Sequence, residues 1–513
     1  MKTKSLSFGF CPPASGFWHL AAALLVLSLP ARAAERAPVT NDASFPPPAA
    51  IAPGVALTPA EFAGLGLNAM TFSNWRDQIE ITPAEVARLG WDAVPQILAH
   101  IKAPVFPAKN FYITDFGAKA GGTTDCTEAI AKAIAACHEA GGGHVVVPDG
   151  TFLTGAIRLL SNVDLHLDDG AVLQFSTDVQ KYLPLVRVRY EGVECMNFCP
   201  PIYAYGQENI GVTGRGTLDG GGAPAWSRAT GTRRTIDVTL PVEQRLMGPG
   251  AGLRPNFVVP YECKNILIDG LTIHNSPMWE INPVFCTNVT VRNLRIDSHG
   301  ANNDGCDPDS CRYVLIEGCI FDTGDDCIAI KCGKDDDGRR VNRPTEFVIV
   351  RDCVMKDGHG GVTLGSECTP AIRNVFVENC RMSSTQLNAV LRFKNTPVRG
   401  GIIENVFARN LDVGSVATGN SRAAFLIEFT YMNSLTGPYV PVLRNVNVTG
   451  IRGVDIPRLV SLTAGATAVI ENIRIADSVF AGPAPAELEQ NQGRITFTNV
   501  TLLPRGTALP AKP

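Results

Sequence analysis

A short apolar strand recurs along the second half of this chain, each time followed by the same kind of turn. Its copies are Asn265-Ile266-Leu267-Ile268, Asn288-Val289-Thr290-Val291, Tyr313-Val314-Leu315-Ile316, Phe347-Val348-Ile349-Val350, Asn374-Val375-Phe376-Val377, Asn405-Val406-Phe407-Ala408, Asn445-Val446-Asn447-Val448 and Asn472-Ile473-Arg474-Ile475. The intervals run from about 23 to 40 residues, the range of stacked solenoid coils. Alternation within each copy indicates a half-buried strand. Four residues past the first apolar position stand Gly270, Asn293, Gly318, Asp352, Asn379, Asn410, Gly450 and Asp477. All of these tolerate left-handed backbone, so a tight turn is expected there in every coil. The Asn before the strand implies side-chain amides bonded up a parallel ladder. Together these features predict an all-β chain, a right-handed parallel β-helix, with handedness taken from the chirality of parallel crossovers.

The cysteines share this register. Cys263, Cys286 and Cys311 precede the first apolar position of three successive strands by three residues, and Cys319, Cys353 and Cys380 follow that of the last of these and of the next two by five. An interior ladder of small apolar thiols explains them. Adjacent rungs are also near enough for disulfides. Neither ladder has a zinc spacing.

The N-terminal part differs. Residues 1–34 read as a signal peptide, with Lys2 and Lys4 before the apolar run Leu20–Leu29 and a small-residue cleavage site at Ala31-Arg32-Ala33. That run is too short to span a bilayer, so the expected mature protein is exported, periplasmic or extracellular, and free of the membrane. Residues 35–109 read as a Pro/Ala-rich tether with a short helical extension. Thr58-Pro59-Ala60-Glu61 and Thr82-Pro83-Ala84-Glu85 look like helix starts, followed by a helical segment around Trp91–Ile101. Phe111–Ala118 reads as a strand. Asp125–Glu139 reads as an amphipathic helix with Asp125 and Glu128 as a capping box, and an open β-helix end requires such a cap. The β-helix domain is expected over 110–505. A net charge of −4 gives no basic excess for nucleic acid.

Four polar clusters interrupt the apolar coils. They are Asn302-Asn303-Asp304-Gly305, Gly324-Asp325-Asp326-Cys327, Gly358-His359-Gly360 and Arg392-Phe393-Lys394. Their spacings are near whole coils, which would stack them on one face. Crowded carboxylates raise one another's pKa, and glycoside hydrolysis needs one protonated and one ionised carboxyl. Arg392 and Lys394 alternate on a strand and so share a face, which suits an anionic sugar. Asp307 and Asp309 read equally as supporting groups or turn residues. His299, Lys331 and Glu367 stand beside the motifs as supporting groups, Trp279 reads as either a sugar platform or core, and Asp335–Arg340 reads as a solvated loop.

These four motifs, in this order on this repeat, resemble the polygalacturonase (pectinase) family of glycoside hydrolases over roughly residues 110–480. The N-terminal form, with Asp115-Phe116-Gly117-Ala118, is similar to bacterial exo-acting members. The resemblance implies inverting hydrolysis of α-1,4-linked galacturonan without a cofactor or metal, by a monomer. It implies Asp325 as general acid, Asp304 and Asp326 as the pair that holds and activates water, and His359 as the group tuning their protonation. It also implies Arg392, Lys394, Asn302 and Tyr431 as substrate contacts. Asn303 departs from the family's Thr and Phe393 from an aliphatic residue. The family's acids are crowded, so the separation expected of inverting carboxylates is a poor guide. Two other readings are a calcium-dependent pectate lyase and a non-catalytic β-helix carbohydrate-binding protein. The region 186–262 is long enough to close one end of a groove, although exo and endo action are not separable from the residues.

Overall fold

The computed structural model describes residues 81–418, 422–491 and 493–511. The signal peptide, the helix start at Thr58 and most of the Pro/Ala-rich stretch lie outside these residues. The strands with the repeated motif pair in parallel, each with the next. Lys264–Asp269 pairs with Thr287–Arg292, which pairs with Arg312–Glu317, and so on through Ile495–Leu503. After each left-handed turn a shorter strand forms a second parallel ladder. A third face is the sheet Ile328–Ile330, Val362–Leu364, Ala389–Lys394, Ala423–Glu428 and Val460–Thr463. The chain is a right-handed parallel β-helix.

All eight expected turn residues have positive φ, from 48° at Asp477 to 85° at Gly270. The position before the strand is left-handed too, at Asn265, Asn288, Tyr313, Phe347, Asn374, Asn405, Asn445 and Asn472. The amide ladder forms in two segments. Asn209, Asn265 and Asn288 bond in turn at 2.8 and 2.7 Å. Asn374, Asn405, Asn445 and Asn472 bond at 2.9, 3.1 and 2.7 Å. Between the segments Tyr313 and Phe347 stack at 5.0 Å.

The N-terminal extension covers that interruption. Helix α1 (Pro83–Leu89) has the capping box at Thr82 and Glu85. Helix α2 (Val94–His100) follows a single 3-10 turn. Trp91 meets Phe376 edge-on at 5.3 Å and His100 stacks on Tyr313 at 4.7 Å. Ladder residues Asn288 and Asn405 bond to the extension's backbone at Lys102 and Pro83. Part of the extension is thus bound along the flank of the coils.

Helix α3 (Thr127–Glu139) buries Ile130, Ala133, Ile134 and Cys137 in the same core as the first coils. Its expected capping box is absent. Cys126 is the N-cap residue; Asp125 accepts from the Thr127 backbone and hydroxyl, one residue too early for the box, and Glu128 pairs with Lys132 at 2.7 Å. The strand expected over Phe111–Ala118 stops at Tyr112. Ile113–Phe116 is a 3-10 turn closed by left-handed Gly117. Every cysteine among the described residues is a buried free thiol, so the ladders are apolar packing.

The region 186–262 forms an antiparallel hairpin, Val186–Tyr190 with Val193–Asn197, and helix α4 (Ala223–Thr230). They share a core with Tyr203, Tyr261 and Phe285 of the coils. Asp335–Arg340, read as a solvated loop, lies in helix α5 (Asp335–Val341). Its Asp337 is buried against Arg245 at 2.6 Å, because the hairpin lies over it.

Candidate active site

Parallel pairing of Ile281, Cys306, Ile328, Val362 and Leu391 sets the rungs of the third face. Two residues before the first four stand Trp279, Asp304, Asp326 and Gly360; one position earlier stand Met278, Asn303, Asp325 and His359. Backbone bonds follow this order, from Gly305 to Asp326, Asp325 to Asn303 and His359 to Asp325. The four motifs therefore meet on successive coils, about 4.8 Å apart. Oxygens of Asp304, Asp325 and Asp326 all lie within 4.8 Å of one another. Gly360 is required here, because a Cβ would stand 2.9 Å from Asp326 Oδ1 and 2.2 Å from Thr363 Oγ1.

Each acid has a different environment. Asp326 is fully buried. Lys394 Nζ donates to its Oδ2 at 2.7 Å, Thr363 Oγ1 to Oδ1 at 2.8 Å, and Arg392 Nη1 approaches at 3.5 Å. Burial would raise its pKa, but Lys394 and Arg392 outweigh it and hold the carboxyl well below the usual range. Asp304 is buried with Oδ2 3.6 Å from Lys331 Nζ. Burial, Asp307 and Asp325 push it well above that range. Asp325 is the most open of the three, with its side chain 20% exposed, and its Oδ1 lies 2.8 Å from His359 Nδ1. That hydrogen bond raises the His359 pKa.

Lys331, itself buried, joins the acids. Its Nζ is 3.5 Å from Asp307, 3.2 Å from Glu367 and 4.5 Å from the buried Trp279 ring centre. Trp279 is thus core. Burial lifts Asp307 to about 8 against the pull of Lys331. Glu367 stays low because Lys331 and Arg399 outweigh its burial. Asp309 is bound by Arg189 of the hairpin at 2.8 Å, both fully buried. Arg392 also pairs with Glu428 at 2.7 Å. The Tyr431 ring lies 5.1 Å from Lys394 Nζ and 5.9 Å from Arg392 Cζ. Asn302 has left-handed backbone and accepts from Arg254 at 3.2 Å, while Asn303 is buried on the carbonyls of Ser276 and Met278.

Residues 137–487 match the family described as glycosyl hydrolases family 28. The chain belongs to this family. It is a glycoside hydrolase. The structure of a hyperthermoactive exopolygalacturonase from Thermotoga maritima is 35% identical, with a TM-score of 0.73 over 82% of this chain and 97% of that one. An exo-poly-alpha-D-galacturonosidase of Dickeya chrysanthemi is 28% identical over 365 residues, 64% of this chain and 58% of the relative. A polygalacturonase of Gossypium barbadense is 25% identical over 378 residues, 71% of this chain and 82% of the relative.

This family 28 chain carries site groups that motif reading passed over. Glu428 is paired in register with Lys394, so counting one coil on from that motif would have found it; Lys331, read as a supporting group beside the motifs, is paired in register with Asp309. Glu280, fully buried and pushed well up by burial, sits one coil before Gly305. Arg254 comes from a loop and has no periodic signal.

Proposed function

We propose that this family 28 hydrolase is exported and, as a monomer without a cofactor, cleaves α-1,4-galacturonosidic bonds of pectin or polygalacturonate from a chain end with inversion. The observation that carries the reading is the carboxylate trio with its opposed protonation, bordered by Arg392 and Lys394. The names of the relatives support the same substrate.

In this scheme Asp325 and His359 hold one proton across their 2.8 Å contact, and Asp325 passes it to the leaving glycosidic oxygen. Asp304 and Asp326 together carry one negative charge. They hold a water, take its proton as its oxygen attacks the anomeric carbon, and so leave inverted product. Arg392, Lys394, Tyr431 and Asn302 meet the sugars. End-on action is supported by the hairpin tip, where Gly192 O accepts from Lys334 N at 3.0 Å beside Glu367.

The same three carboxylates are close enough to share one cation, which is the calcium-lyase reading. Lys331, Lys394 and Arg392 already surround them, and a divalent ion would add to that positive charge. Product analysis on polygalacturonate tests the proposal. Saturated monomer of inverted configuration is expected; an unsaturated product absorbing in the ultraviolet would establish lysis, and mixed oligomers would establish endo action. Sugar binding without turnover would leave only a binding module.

A further inference from the structure

Arg254 lies on the N-terminal side of the acids, opposite Arg392 and Lys394 along the helix axis. It precedes Val258 by four residues, on a coil two before that of Asp304. The guanidinium is buried at the rim and reaches forward over the intervening coils. Its Nη1 donates to Pro277 O and to Ala301 O, the latter at 3.0 Å, and its Nη2 to Asn302 Oδ1 at 3.2 Å. Among the described residues no carboxylate comes within ion-pair distance of it. Other buried arginines nearby do have acids, with Arg189 on Asp309 and Arg245 on Asp337. The hairpin tip converges on the same place. Arg233 pairs there with Glu191 at 2.6 Å and lies 5.5 Å over the Tyr190 ring. Burial lowers the Arg254 pKa, with Tyr190 and Glu191 offsetting part of the loss.

A buried cation without a counterion is costly, and arginine's planar fork matches a carboxylate. A linkage between two uronates carries a carboxylate on each side of the scissile bond. Here the acids stand between two cationic ends, and one end lacks its anion. Resting on the galacturonan reading, we propose that Arg254 is a specificity-determining residue that binds the carboxylate of the sugar across the scissile bond from the one met by Arg392 and Lys394. The enzyme then reads both uronates.

The test uses digalacturonate and its two singly reduced forms, each with one carboxylate replaced by a hydroxymethyl group. Wild type should prefer digalacturonate over both. In Arg254→Met the preference over one reduced form should shrink by about 10- to 100-fold in kcat/KM, the range for a hydrogen bond to a charged group, while the preference over the other stays. Arg254→Lys should retain part of it. Thermal melting of both variants checks that they fold. Equal losses on all three substrates would mean that Arg254 only braces the carbonyls and Asn302, and no loss would remove it from the site; either result overturns the inference alone. Wild type inactive on digalacturonate and on polygalacturonate would overturn the galacturonan reading, and the inference with it.

Discussion

Asp304 and Asp326 occupy the same position on neighbouring coils, and their surroundings push their pKa values in opposite directions. Asp326 is held ionised by Lys394 at 2.7 Å and Arg392, whereas Asp304, buried beside Asp307 and 3.6 Å from Lys331, is pushed towards its neutral form. Two carboxylates this close cannot both ionise without a cation for each, and the coils supply their cations unequally. A water held between them would meet a donor and an acceptor. Asparagine at 326 would remove the ionised partner and with it that asymmetry.

Asp325→Asn keeps the shape of the third acid and removes its proton. Turnover on polygalacturonate should fall by at least about 100-fold, the scale of general acid catalysis, with an unchanged melting curve. Retention of a tenth of wild-type turnover would take Asp325 out of the role.

Lys331 neutralises a pocket that holds Asp304, Asp307 and Glu367. Lys331→Met leaves those acids buried without their cation, which should cost about 3–5 kcal/mol of stability. Chemical denaturation measures it. The double variant Lys331→Met with Glu367→Gln should recover part of the loss, because one stranded charge is gone.

The hydrogen bond that His359 donates to Asp325 raises the His359 pKa above its ordinary value. A raised group keeps its proton to higher pH in the folded protein than in the unfolded chain. The stabilisation from this pair is therefore complete below about 6.5 and disappears as pH rises through the folded value. In the proposed scheme the shared proton is lost over the same range, so kcat/KM should fall on that limb. His359→Asn should move the limb to lower pH, and an unmoved limb would mean that His359 does not share the proton.

Metal removal separates two chemistries. Chelator should leave activity intact, and loss restored by calcium would favour lysis. The cations around the acids supply the reason for the expectation.

Asn405 belongs to both the ladder and the extension. It donates to Asn374 at 2.9 Å and to Pro83 O at 2.9 Å, accepts from Asn445 at 3.1 Å, and has φ of 56°. Asn405→Ala should cost roughly 2–3 kcal/mol, combining left-handed strain with lost hydrogen bonds. Asn405→Gly should recover the strain and not the bonds. Equal melting points for the two would show that the backbone is relaxed there.

What the sequence determined by itself is the coil. Left-handed turns at Gly270, Asn293 and Asp477 depend on one residue's own backbone preference, so they are legible wherever Gly, Asn or Asp recurs in step. The meeting of Asp304, Asp325, Asp326 and His359 follows, because parallel strands stack equivalent positions at a constant rise. Tertiary structure alone decided which charges those acids meet. Lys331 reaches Asp304 and Asp307 on the coil before it and Glu367 on the coil after, Arg189 comes to Asp309 from a hairpin 120 residues away in the chain, and Arg254 arrives on a loop. Coil lengths vary and inserts leave the repeat, so such contacts depend on the path of the whole chain. The same holds where Tyr313 and Phe347 replace the amides. They look like breaks in a pattern until α1 and α2 are seen against them, since apolar surface is explained only by what covers it.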